Sequence, residues 1–383
     1  MIKGSNRLKT VKEYYFSKKL REVADLIKSG EPVINMAIGS PDLFPSKSVI
    51  EVLKNSLTDQ TAHKYQSYQG IFELRKAISN FYLKFFKVQS NPVNEVLPLM
   101  GSKEGIMHIS LAFLNPGDEV LIPNPGYPTY LSVTKLVEAK PVFYDLFKEN
   151  NWFPNLIELE KRDLSKVKIM WINYPHMPTG SCASLSQLSE LVDFTQKHSI
   201  LLINDNPYSF ILNNDFISLL SIKESKKNCM ELNSFSKSFN LSGWRVGMLI
   251  GSDKNISKVL KVKSNMDSGM FYGIQKGAIQ ALNLNQKWFD SLNVIYMKRR
   301  ELIWELASIL KCEFDKDSAG LFVWAKLPKG IESSEKFINN ILEQKNVFIA
   351  PGTIFGSNGE GYVRFSLCIN EKKIIKAIKR FEK

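Results

Sequence analysis

Cysteine and histidine are scarce in this chain, with four of each among 383 residues. Cys182, Cys229, Cys312 and Cys368 stand far apart, and no pair has the spacing of a metal knuckle or a redox motif. A disulfide framework therefore has nothing to rest on, and a reduced, cytoplasmic setting fits. His63, His108, His176 and His198 make no two-ligand motif, so no metal is expected in catalysis. Long apolar runs are missing as well. The longest, such as Ile169 to Ile172 and Ile200 to Ile203, have the length of a strand and fall far short of a bilayer span, so no membrane segment is expected. The basic N-terminus includes Glu13 and lacks a continuous apolar core, which argues against a secretory signal. Internal repeats, low-complexity tracts and Gly/Ser linkers are also absent, so any domains pack together rather than hang apart.

What is present is an ordinary globular composition, 44% hydrophobic and 23% charged, in a chain longer than one core usually serves. Two domains are expected. The net charge of +13 would suit a polyanion, but the lysines are scattered, gathering only near the termini and at Lys223 to Lys227, and no nucleic-acid module accompanies them. No nucleic-acid partner is expected. Phe16, Leu20, Val23 and Ile27 predict a first helix that stops at Ser29-Gly30-Glu31-Pro32. From Glu95 onward strands and helices alternate. The pattern is strand through Met100, helix Lys103 to Leu114, strand through Ile122, strand Lys168 to Asn173, helix Ser184 to His198, then strands Ile200 to Asp205, Met230 to Phe235 and Trp244 to Ile250. Such alternation implies an α/β fold with a mostly parallel sheet covered on both faces. After about residue 270 long helices, Gly273 to Leu284 and Gln286 to Leu310, precede short strands near Leu321, Val347 and Val363, and a second domain is expected there.

Polar residues collect where these strands end, the place where open α/β sheets bind ligands. Gly101-Ser102-Lys103 opens a helix directly after a strand, so free backbone N–H groups there could hold a phosphate, although such turns are common without one. Ser234-Phe235-Ser236-Lys237-Ser238 ends another strand and is followed by Gly243-Trp244-Arg245-Val246-Gly247. At these residues the chain resembles the class I/II aminotransferases, fold type I pyridoxal-phosphate enzymes like aspartate aminotransferase, over nearly its whole length from about Tyr14.

The resemblance implies a large domain over residues 41–270 built on a seven-stranded sheet. It also implies a smaller α+β domain over 271–383, with 1–40 packing against it. Lys237 would carry pyridoxal 5'-phosphate as a Schiff base, and Ser234, Ser236, Arg245 and the amides of Ser102 and Lys103 would bind the phosphate. A lysine in that role must lose its charge, and burial beside Arg245 would lower its pKa. Asn204-Asp205-Asn206-Pro207-Tyr208 matches the family's Asp-x-x-Tyr, although the same composition also makes ordinary turns. Asp205 would face the pyridine nitrogen and Tyr208 the ring's phenolic oxygen. Tyr127 resembles the aromatic that stacks on the ring, and Tyr65 the tyrosine that reaches the phosphate across a homodimer interface. Arg364 lies on an apolar strand, where its charge wants an anion, and its planar fork would take the substrate α-carboxylate beside Gly39.

The chain departs from the family at Met177-Pro178-Thr179-Gly180, where an asparagine usually precedes the proline. A thioether cannot donate, so Tyr208 is the main remaining donor to the phenolic oxygen unless His176 or a water substitutes, and the Schiff base should keep its proton to higher pH. The activity expected is ping-pong transfer of an amino group from an L-amino acid to a 2-oxo acid, with glutamate and 2-oxoglutarate as one pair. A carbon–sulfur β-lyase shares the same motifs and stays open. A cofactor-binding regulator is remote, because only about fifteen residues precede the first helix, too few for a DNA-binding module. Side-chain selection would fall to Tyr14, Tyr15, Phe16, Leu43, Phe44, Phe271 and Tyr272, segments with no obvious second arginine besides Arg7 and Arg21, which favours an apolar or aromatic donor over a dicarboxylate.

Overall fold

A computed structural model of the chain describes residues 2–11 and 15–382; Glu13 and Tyr14 lie outside the described residues. The strands of its first 251 residues are β1 (Ile34–Asn35), β2 (Val96–Leu99), β3 (Glu119–Asn124), β4 (Lys140–Asp145), β5 (Val167–Ile172), β6 (Leu201–Asp205), β7 (Cys229–Ser234) and β8 (Gly247–Gly251). Strands β2 to β8 form one seven-stranded sheet in the order β2-β8-β7-β6-β5-β3-β4, parallel throughout except that β8 runs against both neighbours. This is the expected α/β fold.

Side chains leave a strand alternately to its two faces, so each central strand feeds two cores. Ile169, Trp171, Leu201, Ile203, Met230 and Leu232 point to one face, under the helices Ser102–Phe113 and Asp253–Lys263. Met170, Ile172, Leu202 and Cys229 point to the other, with Phe81, Tyr82 and Leu191 from the helices Phe72–Phe86 and Leu185–Lys197. Burial on both faces is why β5 and β6 read as continuous apolar runs.

Most element ends fall within two residues of expectation, but one strand starts three residues late and another was not expected at all. β8 starts at Gly247 rather than Trp244, because Ser242–Trp244 forms a 3-10 turn and Arg245 sits at φ 54°, in the left-handed region where a strand cannot continue. β4 escapes the apolar pattern because it is an edge strand with mostly half-buried and exposed side chains.

Beyond Tyr272 come the helices Tyr272–Leu282 and Gln286–Ile309 and the strands β9 (Glu313–Phe314), β10 (Phe322–Lys326), β11 (Val347–Phe348), β12 (Ala350–Pro351) and β13 (Tyr362–Ser366). Four of them make an antiparallel sheet in the order β12-β13-β10-β9, while β11 pairs in parallel with β1 and so ties the N-terminal segment to this part of the chain. No helix among the described residues is long and apolar enough to cross a membrane.

Arg299, 2% exposed, locks these parts together. Its guanidinium grips Asp42 with two bonds, at 2.6 and 3.1 Å, and meets Glu371 at 3.2 Å and the Leu367 carbonyl at 3.0 Å. Removing it strands two carboxylates and a buried carbonyl, so Arg299→Ala is expected to cost about 3 kcal/mol in urea unfolding; a loss below about 1 kcal/mol would mean that the contacts are incidental.

Candidate active site

The parallel strands deliver their carboxyl ends to one edge of the sheet. β2 leads there into Ser102 and Lys103, β3 into Tyr127, β5 into Asn173, β6 into Asp205 and Tyr208, and β7 into Ser234, Ser236 and Lys237. The reversed β8 brings its amino end to the same edge, which places Arg245 there. These side chains, with Ser40, Met177, Pro207 and Ser242, line a cavity of about 290 Å³.

One end of the cavity is built for an anion. The helix Ser102–Phe113 opens at Gly101, and its first N–H groups lack partners within the helix. Gly101 has φ 90°, and a Cβ on it would lie 2.1 Å from an Arg245 Nη atom, so only glycine lets the arginine approach this turn. Arg245 donates to the Ser242 carbonyl at 2.8 Å and reaches the Ser236 hydroxyl at 3.5 Å. The Ser234 hydroxyl caps the next short helix by accepting from Ser236 N.

At the other end Asp205 is buried. Its Oδ2 accepts from Tyr130 OH at 3.0 Å, and its main-chain carbonyl accepts from Asn173 Nδ2. Oδ1 is buried without a partner. Burial pushes its pKa up to about 7, against the pull of Tyr130 and of Lys237. Between the two ends, Lys237 Nζ donates to the Gly39 carbonyl at 2.7 Å. Burial holds the Lys237 pKa below its ordinary value, and the charges of Arg364 and Arg245 press it the same way. An unpaired carboxylate oxygen, a lysine with weakened proton affinity and a phosphate-sized anion cradle suit a flat group with a basic ring nitrogen and an anionic tail.

Arg364 stands beside this cavity, clamped between the rings of Phe322 and Phe355 at 3.9 and 4.6 Å from their centroids. One Nη donates to the Ala37 carbonyl at 2.8 Å, the other sits 3.4 Å from Met177 Sδ, and Nε is buried without a partner. No carboxylate among the described residues pairs with it, and burial lowers its pKa to about 10. A Cβ on Gly39 would strike the Phe322 ring at 2.7 Å and come within 3.9 Å of the Arg364 fork, so glycine keeps that passage open.

Not every residue named from the sequence lines this cavity. Tyr65 is 91% exposed, beside Ser268, Gly269, Met270 and Phe271 and outside this cavity. His176 does not line the cavity either: it is buried with Nδ1 at 2.8 Å from Thr179 Oγ1, so it is no substitute for the missing asparagine. Phe16 stacks on Phe348, Tyr272 bonds Asp59, Arg7 pairs with Glu138, and Phe44 is 85% exposed. Asn173 and Tyr130 were not foreseen. Asn173 is a polar residue at a strand end and could have been found by that rule, whereas Tyr130 looks in sequence like any aromatic on a buried helix face.

Comparison with known proteins agrees with this geometry. A sequence profile described as aminotransferase class I and II matches residues 31–381. LL-diaminopimelate aminotransferase from Dehalococcoides mccartyi is 39% identical over 379 residues, covering 98% of this chain and 97% of that protein. The enzyme of the same name from Aquifex aeolicus is 35% identical, covering 100% and 99%. Among solved structures, apo BacF from Bacillus subtilis superposes with a TM-score of 0.95 at 33% identity, covering 99% of this chain and 97% of that one. Aspartate aminotransferase from Thermus thermophilus, at TM-score 0.92 and 23% identity with 100% and 99% covered, shares the fold. The chain belongs to the class I and II aminotransferases. It is an enzyme of amino-group transfer in a family that works with pyridoxal phosphate, and nothing in these relatives favours the carbon–sulfur lyase reading.

Without cofactor, Asp205 ionises in the fold only as pH passes about 7, against 3.8 for an ordinary aspartate. Between those limits the folded protein holds a proton that the unfolded chain has released, so this group makes stability fall as pH rises from about 4 to about 7 and leaves it level above. Asp205→Asn removes that decline. Urea unfolding of the cofactor-free proteins should show the variant gaining on wild type by up to roughly 4 kcal/mol between pH 4 and pH 8; a difference that stays constant would contradict the burial of a titrating carboxyl at this position.

Proposed function

We propose that the chain moves the amino group of an L-amino acid to a 2-oxo acid with pyridoxal 5'-phosphate held in the cavity between Lys237 and Asp205. The observation that carries the proposal is the unpartnered Oδ1 of Asp205 in the same cavity as a lysine whose proton affinity burial has weakened. In this reading Ser102 and Lys103 N–H, Ser234, Ser236 and Arg245 bind the phosphate, and Asp205 Oδ1 takes the ring nitrogen. Tyr127 would stack on the ring, and Tyr208 would donate to its phenolic oxygen in place of the donor lost at Met177.

When bound, pyridoxal phosphate supplies an electron sink that makes the α-proton of an attached amino acid removable. Lys237 then acts as the base. Its neutral Nζ would take the α-proton from the substrate and deliver it to the cofactor's C4′ carbon, a role that needs the lowered pKa. Arg364 receives the α-carboxylate: its fork is already oriented by two aromatic rings, its Nε lacks a partner, and an incoming carboxylate neutralises a charge that burial penalises. Gly39 lets that carboxylate pass the Phe322 ring.

Residues 41–270 serve as the large cofactor-binding domain and 271–383, with 1–40, as the small domain that carries Arg364. A homodimer suits the exposed Tyr65, which would close the phosphate end of the neighbouring site. Four free thiols suit a cytoplasmic setting. The names of the curated relatives put LL-diaminopimelate first among amino donors to be tried, with 2-oxoglutarate as acceptor.

A panel of LL-diaminopimelate, L-phenylalanine and L-aspartate, each with and without 2-oxoglutarate, tests the proposal. The loaded protein should change its visible absorption on adding a good donor, and glutamate should appear only when 2-oxoglutarate is present; pyruvate and ammonia in place of a new amino acid would overturn it. Arg364→Lys replaces a fork by a point charge and is expected to lower kcat/KM about 100-fold for every donor, and unchanged efficiency would remove Arg364 from the site.

A further inference from the structure

Glu231 is a buried carboxylate that the proposed chemistry does not use. It sits on β7, 0% exposed, on the face of the sheet opposite Asp205. Its Oε2 accepts from Leu219 N at 2.9 Å and from Asn204 Nδ2 at 3.3 Å, and its Oε1 accepts from Asn206 Nδ2 at 3.4 Å. The hydroxyls of Ser218 and Tyr82 also reach it. No lysine or arginine among the described residues pairs with it; the titratable groups that face it are Tyr82 and Cys229. Burying a carboxylate against neutral donors alone is costly, and a core position of that size would be filled more cheaply by leucine or methionine.

Its partners lead to the site along two paths. Asn204 and Asn206 flank Asp205 in sequence, and strand alternation sends their side chains to the Glu231 face while Asp205 points to the cavity. Asn204 Oδ1 accepts from Tyr174 N at 2.9 Å, and Asn206 Oδ1 accepts from Ser209 Oγ at 2.5 Å. On the other path Tyr82 OH accepts from Asn233 Nδ2 at 3.3 Å, and Asn233 Oδ1 accepts from Ser234 N at 2.7 Å, where the turn carrying Ser236 and Lys237 begins.

We propose that Glu231 is a positioning residue for the active site. As an acceptor-only hub behind the sheet, it holds the strand end bearing Asp205 through Asn204 and Asn206, and the turn bearing Lys237 through Tyr82 and Asn233. This rests on the reading that the cavity takes pyridoxal phosphate.

The polarity of the network distinguishes glutamate from its amide at this position. Glutamine has the shape of glutamate but must present an NH₂. Directed at Asn204 or Leu219 it would face two donors; directed at the Oε1 position it faces Asn206 Nδ2. An Asn206 flip to accept would reverse its bond with Ser209, whose hydroxyl would then have to accept from Nδ2 and would lose the Asn206 carbonyl as the acceptor for its own proton. Asn206→Asp removes that conflict: the carbonyl of the introduced glutamine accepts from Leu219 and Asn204, and its amide donates to the new carboxylate.

The test compares wild type, Glu231→Gln and the double variant Asn206→Asp/Glu231→Gln in cofactor-free form. Thermal unfolding is followed by circular dichroism and pyridoxal phosphate binding by fluorescence titration. Glu231→Gln is expected to unfold cooperatively but to bind pyridoxal phosphate about 10- to 100-fold more weakly, with the double variant recovering most of the loss. Wild-type affinity in Glu231→Gln, or a loss that the double variant does not recover, would overturn the role. If Glu231→Gln does not fold, the double variant decides alone: folded with near wild-type affinity it supports the role, and unfolded it makes Glu231 a residue of the fold and not of the site. Failure of wild type itself to bind pyridoxal phosphate would refute the active-site reading on which the role rests, a result distinguishable from any change confined to the variants.

Discussion

Asp205 and Lys237 share one cavity, and the cavity withdraws both from water. Each is thereby held away from its ordinary charge state: the carboxyl keeps its proton up to about pH 7, and the lysine parts with its own more easily. A site in this condition gains by admitting a molecule that brings a positive ring nitrogen to one group and a carbonyl to the other. The surrounding fold serves this arrangement. Five parallel strands and one reversed strand end at a single edge, so residues as distant in sequence as Ser102 and Arg245 line one cavity of about 290 Å³.

Much of this was legible in the sequence because it is carried by local patterns. β5 and β6 are apolar runs that end in polar residues, Asn173 after one and Asp205 within the other, and a doubly covered sheet leaves no other pattern open to them. Ser234, Ser236, Lys237 and Arg245 lie within twelve residues of one another, so their motif is readable without tertiary information. What escaped depends on contacts across the chain. Tyr130 reaches Asp205 from a helix after another strand, and Asn173 clamps both Asp205 and Met177. The start of β8 was misplaced because the left-handed Arg245 breaks the chain's extension, and a non-glycine residue gives no warning of positive φ. The residues expected to select the substrate side chain are scattered between core, surface and the undescribed Tyr14, since that choice depends on geometry that one strand or helix does not encode.

Met177 illustrates how a departure from the family pattern is accommodated. Its thioether cannot replace an amide as donor, and the structure directs it to Arg364, 3.4 Å away, where sulfur acts as a weak acceptor. Its own N–H is fixed by Asn173 at 2.8 Å, so the backbone path of the turn is kept although the side-chain donor is lost. His176 next to it is committed to Thr179. The cavity wall at Met177 thus carries a thioether in place of an amide, and in the proposed reading hydrogen bonding to the ring oxygen would fall to Tyr208.

The identity of the lysine that holds the cofactor tests this account most directly. Protein loaded with pyridoxal phosphate is reduced with borohydride, digested and mapped by mass spectrometry. The pyridoxyl label is expected on Lys237 alone, in the peptide that contains Ser234 and Ser236; label on another lysine, or scattered over many, would contradict a site built around Lys237.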